Sequence, residues 1–593
     1  MNEVCQVSRG RRRLVSLGLL LFAVLLSWRL FVLQISHHQE LAARAVAQSN
    51  SVITIPGPRG EIVDRSTNRY LANSIPCFVL AAEPVRIGVP GLAALERAAG
   101  VVPGRLTSRA THPWLDVRRD CDDDCIGAVQ ALIAQRVIPA GTVHWSRGFK
   151  RSYPHAGQAS HVLGFVNLDG TLTEGIERVY DDGLRSRSAK LLRITDAKQK
   201  PLEHVSGDAT PPPAATLQLA LDLRLQMVLE DALERAATEH GARGARGVVL
   251  DPDNGDVLAL AAYPSFDSNR FNKASDELRR NPVISIASEP GSVMKPFTAA
   301  ALLEAGLYRP GESVDCERGQ WKKGSRVIHD THPHGVLTLP EVIEVSSNIG
   351  IVKFSQRLRS ADFYRVLLGL GLGARTGIDL PAESAGVLAK PELWKVVDHD
   401  SIAFGHSLSA TTLQIAVAMS TIANGGFRVT PRLGLSWELP DGTRQEIPRP
   451  APERAISAQT SWQVRQFLRR VVEEKHGTGK NAAVEGFFVA GKTGTAELIT
   501  DGRYNKRENL ASFVGFAPVD HPVAVVVISL EAPKIGGRTG GATAAPAFST
   551  VLAEVLRLRR VAPDNLPPAD PDQDGSAVVA HSDPKHGARG VRG

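Results

Sequence analysis

The chain has 593 residues, 43% of them hydrophobic and 22% charged. Those are the proportions of an ordinary globular protein with ample material for a core, and the length suits about two to four domains. A net charge of +7, with a pI near 9.2, is a mild excess partly clustered at the N-terminus. With no basic stripe interleaved with aromatics, it does not point to nucleic acid.

Taken from the N-terminus, Arg9, Arg11, Arg12 and Arg13 precede an apolar run from Leu14 to Leu33, broken by Ser27 and Arg29. Twenty helical residues span about 30 Å, the thickness of a bilayer core. The expectation is an uncleaved signal anchor over 14–35. Residues 1–13 then form a basic cytoplasmic segment, and everything after lies across the membrane. Leu14 to Trp28 would also serve a cleaved signal peptide, but the nearest small-x-small site, Ala45-Val46-Ala47, lies well past the run and beyond Glu40. Arg29 is costly in lipid, so it either snorkels to the outer headgroups or marks contact with a partner helix.

Residues 36–209 mix short strand-like runs with turns and few long periodic helices. Of the cysteines beyond the anchor, Cys121 and Cys125 are the only close pair, set among Asp120, Asp122, Asp123 and Asp124. Soft thiolates mixed with hard carboxylates match no standard metal site. A disulfide or a plain exposed loop is expected here and no metal, with Cys77 and Cys316 buried or free.

Pro211-Pro212-Pro213 punctuates the chain like a domain boundary, which opens a second domain over 210–560. Within it, Leu223 to Thr238 carries apolar residues at helical spacing. Gly247 to Leu250 and Val257 to Leu260 flank Asp253-Asn254-Gly255-Asp256 and predict a hairpin. Val489 to Gly491, Ser512 to Phe516 and Val523 to Ile528 predict further strands, and Ala545 to Leu558 a terminal helix. Strands at both ends enclosing helices predict an α/β (α+β) domain, a sheet covered by helices on both faces. From residue 561 the chain is rich in Pro, Asp and Gly and is expected to be a disordered tail.

Three short motifs stand in order in this second domain: Ser292-Val293-Met294-Lys295, Ser346-Ser347-Asn348 and Lys492-Thr493-Gly494. Each is weak alone, since Ser582-Asp583-Pro584-Lys585 and Ser66-Thr67-Asn68 fit two of the patterns equally well. Only the Ser292 set is complete and embedded in apolar sequence. Ser292 would lie at a helix N-terminus with Lys295 one turn on, on the same face. A hydroxyl is a poor nucleophile until a neighbouring base takes its proton, so Ser292 is the candidate nucleophile and Lys295 its general base. Lys295 serves only when neutral, and burial with a second ammonium, Lys492, would lower its pKa.

Ser346 is placed to relay a proton, and Asn348 offers a donor and an acceptor to a substrate amide. Lys492-Thr493-Gly494-Thr495 follows an apolar run and belongs on a strand, where an edge can pair with an extended peptide. Gly494 removes a side chain where substrate must approach. The backbone N–H groups of Ser292 and Thr495 would form an oxyanion hole, and the Thr493 and Thr495 hydroxyls would hold a terminal carboxylate.

The ordered set resembles that of penicillin-binding proteins and their β-lactamase relatives. Arg59-Gly60-Glu61-Ile62-Val63-Asp64-Arg65 with Leu71-Ala72 resembles the first signature of the N-terminal pedestal of class B penicillin-binding proteins. Arg151-Ser152-Tyr153-Pro154, His161 to Phe165 and Gly175-Ile176-Glu177 resemble its later ones, and Thr412 to Ala416 with Ile422 to Gly426 resembles the helix past the active site. No glycosyltransferase domain is expected ahead of the pedestal, unlike the bifunctional class A. Two departures stand out: Asn68 where the signature usually has Gly, and Arg185-Ser186-Arg187-Ser188 where a Gly-containing turn is usual.

The resemblance implies a single transmembrane helix, an elongated, mostly β pedestal over 36–209, and a serine-acyltransferase domain of the penicillin-binding/β-lactamase-like fold. It implies a peptidoglycan D,D-transpeptidase that needs no cofactor, acts on stem peptides and is acylated by β-lactams at Ser292. The anchor with its arginine, the pedestal and Gly502-Arg503-Tyr504 look most like the septal member, with division proteins including a membrane glycan polymerase as partners. It would sit in the inner membrane as a single-pass protein, N-terminus cytoplasmic and catalytic domain periplasmic. The elongation enzyme, a carboxypeptidase or β-lactamase, and a β-lactam sensor or scaffold are the alternatives.

Overall fold

The apolar run ending in Val525-Val526-Val527-Ile528 forms the middle strand of a five-stranded sheet in the computed structural model. The structure describes residues 9–55, 57–66, 69–167, 170–186, 189–195, 201–204, 211–500 and 503–565. The tail beyond 565, Asn68, Arg187, Ser188 and Gly502 lie outside the described residues, as do both decoy motifs in part or whole.

The elements that build the site are, in chain order, α1 (Leu223–Glu239), β1 (Gly244–Leu250), β2 (Val257–Tyr263), α2 (Lys295–Glu304), α3 (Leu339–Val345), α4 (Asn348–Ser355), α5 (Thr412–Ala423), β3 (Ala490–Thr500), β4 (Arg503–Ala517), β5 (Ala524–Glu531) and α6 (Gly540–Leu558). The sheet runs β2-β1-β5-β4-β3, every neighbour antiparallel. Val526 and Ile528 share one apolar cluster with Leu225, Leu229 and Leu233 of α1 and Phe548, Val551 and Leu552 of α6. Val525 and Val527 alternate to the other face, and α5, buried along its whole length, packs against β1 and β5. The expected sheet with helices on both faces is therefore present.

The hairpin forms as predicted, and each strand runs longer than its apolar stretch. Polar pairs such as Glu497↔Asn509 extend β3 and β4 by backbone pairing alone. Helix α6 starts five residues before its expected start because Gly540, Gly541 and Pro546 disguise its first turns.

Chain compactness gives two units that interleave in sequence. The larger comprises Glu61–Asn73, Ser152–Asp181 and Thr216–Gly593, so parts of the stretch expected to form the pedestal fold with the catalytic segment. Hydrogen bonds explain the recruitment of 152–181. Asn269 Nδ2 donates to Tyr153 O (2.8 Å), Asn281 Nδ2 to His161 O (3.0 Å), and Ala159 N to Glu230 Oε1 (2.7 Å). Gly164 and Gly175 both have positive φ, and a Cβ on Gly164 would lie 2.0 Å from Glu174 O. Only glycine fits that crossing.

The smaller unit comprises Met1–Gly60, Ser74–Arg151 and Asp182–Ala215. Its helix Arg9–Phe31 continues into a π turn, Val32–Ser36, and is the one helix among the described residues long and apolar enough to cross a membrane. A separate core joins Leu80, Val117 and Cys121 to Leu92 and Leu95 of the helix Pro84–Ala98 and Val129 of the helix Asp123–Ala134. The first of these helices hid in sequence because Gly88 and Pro90 interrupt its periodicity.

Neither the disulfide nor the exposed loop expected at Cys121 and Cys125 is found. Cys121 ends a strand, Cys125 opens a helix capped by Asp122, and both are buried free thiols. The aspartates face outward around a strand-to-helix joint whose cysteines turn into the core.

Candidate active site

Gly291 begins the construction. Its φ is +57°, its N–H donates to Gly405 O at 3.0 Å, and a Cβ would lie 2.8 Å from Thr495 O. The chain then makes a 3₁₀ turn, Gly291–Met294, before α2 begins at Lys295. Ser292 thus stands in the turn leading into the helix rather than within the α-helix. Pro296 falls in the first helical turn, where no intrahelical bond is lost.

Lys295 is completely buried, and its Nζ donates to Ser346 Oγ at 3.0 Å and to Ser346 O. Burial pushes its pKa down to about 7, with the Asp330 carboxylate pulling the other way. Burial, rather than the second ammonium, is thus the main cause. Lys492 is also completely buried and lies well below the ordinary lysine range, through burial first and the charge of Lys295 second. Its Nζ donates to Thr493 O and Oγ1, both at 3.3 Å.

Ser346 closes α3 in the left-handed region, φ 62° and ψ 38°. A non-glycine residue held there carries roughly 1–3 kcal/mol of strain. The conformation lets one residue turn both its carbonyl and its hydroxyl to the same ammonium. Ser347 caps α4, its Oγ accepting from Gly350 N at 2.9 Å. Asn348 is the first residue of α4, and its Nδ2 donates to His329 O at 2.9 Å, which leaves the side-chain oxygen for a ligand.

Strand β3 is an edge of the sheet, with Lys492 opposite Val514 and Gly494 opposite Ser512 on β4. Gly494 has a reason the sequence did not reveal. A Cβ there would meet Val293 Cγ2 at 2.6 Å and Pro290 O at 3.2 Å, so the missing side chain admits the nucleophile turn itself. Thr493 is buried and bonded to Thr478 Oγ1 at 2.9 Å, while exposed Thr495 accepts from Gly540 N at 3.4 Å.

The structure therefore gathers the three motifs, on the turn into α2, the α3–α4 joint and β3, around two buried lysines. It adds groups that the motifs did not announce. Glu289, three residues before Ser292, accepts from Ser407 N (3.0 Å) and Tyr504 OH (2.9 Å) on one oxygen and meets His406 Nδ1 (2.5 Å) on the other. Burial opposes its charge, but these bonds outweigh it and hold the carboxyl below its usual range. Tyr504 is pushed up to about 12 by burial and by its bond to Glu289. Asp330 and Thr478 are the others. A buried lysine pair, an activatable serine and an exposed strand edge can together carry acyl transfer from a peptide.

Comparison with known proteins agrees with this chemistry. Residues 246–553 match the family model described as the penicillin-binding protein transpeptidase domain. Stage V sporulation protein D of Bacillus subtilis is 32% identical, over 92% of this chain and 85% of its own. The probable peptidoglycan D,D-transpeptidase PenA of Neisseria meningitidis is 29% identical, over 94% of each chain. Among solved structures, penicillin-binding protein 3 of Mycobacterium tuberculosis, complexed with aztreonam, superposes with a TM-score of 0.68 at 30% identity, covering 86% of this chain and 98% of the other.

Proposed function

The chain belongs to the penicillin-binding protein transpeptidase family, in its class B, and from that premise we propose that it cross-links peptidoglycan stem peptides at the division septum. The observation that carries the chemistry is Lys295, wholly buried, hydrogen-bonded to Ser346 and shifted to about 7. A lysine in that state is a base at neutral pH, which a serine nucleophile needs.

In this reading Ser292 Oγ attacks the carbonyl of the penultimate D-alanine as Lys295 takes its proton. The oxyanion sits between the N–H groups of Ser292 and Thr495. Collapse expels D-alanine, whose amine receives a proton through Ser346 with Lys492 holding the local field. The amine of an acceptor peptide then attacks the acyl-enzyme and frees Ser292. Asn348 and the edge of β3 align the donor peptide, and Thr493, Gly494 and Thr495 receive its terminal carboxylate. β-Lactams enter as donor mimics and stay on Ser292. The helix Arg9–Phe31 serves as an inner-membrane anchor with its N-terminus in the cytoplasm and the catalytic domain in the periplasm. The 36–209 segment serves as the pedestal that meets division partners, including a membrane glycan polymerase.

Labelled penicillin followed by peptide mapping tests the mechanism: the adduct belongs on Ser292. An adduct on Ser346, or none on folded protein, overturns it. Depletion tests the subtype, with filaments expected and round cells pointing to the elongation enzyme. Arg29→Leu should weaken septal recruitment without slowing acylation, and unchanged recruitment leaves snorkelling as the account of Arg29.

A further inference from the structure

The strand Arg326–His329 and the residue after it belong to none of the three motifs, yet they hold the second one in place. Asp330 Oδ1 accepts from Asn348 N at 2.5 Å and Ile349 N at 3.0 Å, capping α4. Its Oδ2 accepts from Ser347 Oγ at 2.5 Å, and the neighbouring His329 O takes the Asn348 side chain. Ser346, one residue before this capped turn, is the partner of Lys295 Nζ.

We propose that Asp330 is a positioning residue of the transpeptidase reaction, which seats Ser346 and Asn348 through the capped turn and holds a negative charge across that turn from Lys295. The inference rests on the acyl-transfer reading above.

Three elements present polar or charged groups to Lys295: the α3–α4 joint with Ser346, β3 with Lys492, and the Asp330 turn. Lys492 is buried alongside, and the charge of Lys295 helps to lower its pKa. Asp330 is the anion that favours a proton on Lys295. Burial lowers the basicity of Lys295, and the Asp330 carboxylate opposes it. The carboxylate holds Lys295 near neutrality, where general-base catalysis is most effective. A carboxylate at this position does more than cap the helix: one oxygen takes the two backbone N–H groups while the other takes the Ser347 hydroxyl.

The test is the second-order rate of acylation by a fluorescent penicillin, measured against pH on the full chain in detergent. In the unaltered chain the rate should rise with pH through about 7. Asp330→Asn keeps one oxygen for the N–H groups of Asn348 and Ile349 and removes the charge. Its rising limb should move to lower pH by roughly one unit, and its plateau should fall because the base is weaker. Asp330→Glu keeps the charge, so its limb should stay while the misplaced caps lower the plateau. Where Asp330→Asn does not fold, Asp330→Ser carries the same expectation. A limb that stays put in the charge-removing variants overturns the proposal and leaves Asp330 a helix cap. A limb moved equally by Asp330→Glu overturns it too. No Ser292 adduct in the unaltered chain removes the transpeptidase reading itself and this inference with it.

Discussion

Gly494 and Val293 meet so closely that a Cβ on the glycine would stand 2.6 Å from Val293 Cγ2. This contact ties the edge strand to the turn that carries Ser292, two parts of the site 201 residues apart in the chain. Gly494→Ala must push one away from the other. Acylation should fall by about two orders of magnitude, the loss a misplacement near 1 Å produces, while far-ultraviolet circular dichroism stays unchanged. Adding Val293→Ala should restore part of the rate. An unimpaired single variant would show that the turn yields without consequence.

Lys295→Arg should abolish penicillin acylation. Guanidinium cannot lose its proton under these conditions, and the site at Lys295 is completely buried. Intact-mass measurement reads the outcome directly, with thermal melting to check the fold. Near-normal labelling would mean that another group activates Ser292.

Tyr504 OH reaches Glu289 from β4, although the ring is half in solvent. Tyr504→Phe removes one hydrogen bond to a charged carboxylate, so the rate of acylation should drop by up to about tenfold. The melting temperature should move little. Glu289→Gln loses the charge facing His406 as well and should be slower still. Equal rates in all three proteins would show that the Glu289 cluster merely decorates the rim.

Glu230 provides a pH-dependent term in stability. Burial pushes its pKa up to about 7, against hydrogen bonds from Gln226 and Ala159 N that favour the anion. A carboxyl whose folded pKa is raised contributes its full stability below the unfolded value and loses it as pH rises through the folded one. Here that window runs from the ordinary value of 4.5 to about 7. Glu230→Gln, which keeps the acceptor for Ala159 N, should therefore melt higher than the unaltered chain at pH 8 and gain nothing by comparison at pH 4. A gain that does not depend on pH would place the effect elsewhere.

The ordered motifs, the hairpin, the central strands and the apolar N-terminal run were all legible in the sequence. Each is a local pattern, readable because side-chain chemistry and its period sit within a few residues of one another. Ser292, Lys295, Ser346, Asn348 and the Lys492 strand could be named for the same reason. Tertiary structure alone decided what surrounds them. Glu289 meets His406 and Tyr504 across separations of 117 and 215 residues, and no local pattern encodes such a meeting. Asp330 belongs to none of the motifs, and only the fold sets it at the start of α4. The lowered basicity of Lys295 is likewise a property of the packed domain, because the desolvation that produces it comes from every element closed around the ammonium. The glycine at 494 was visible from the start, but the neighbour it makes room for was not: Val293 arrives there only when the turn Gly291–Met294 docks against the sheet edge.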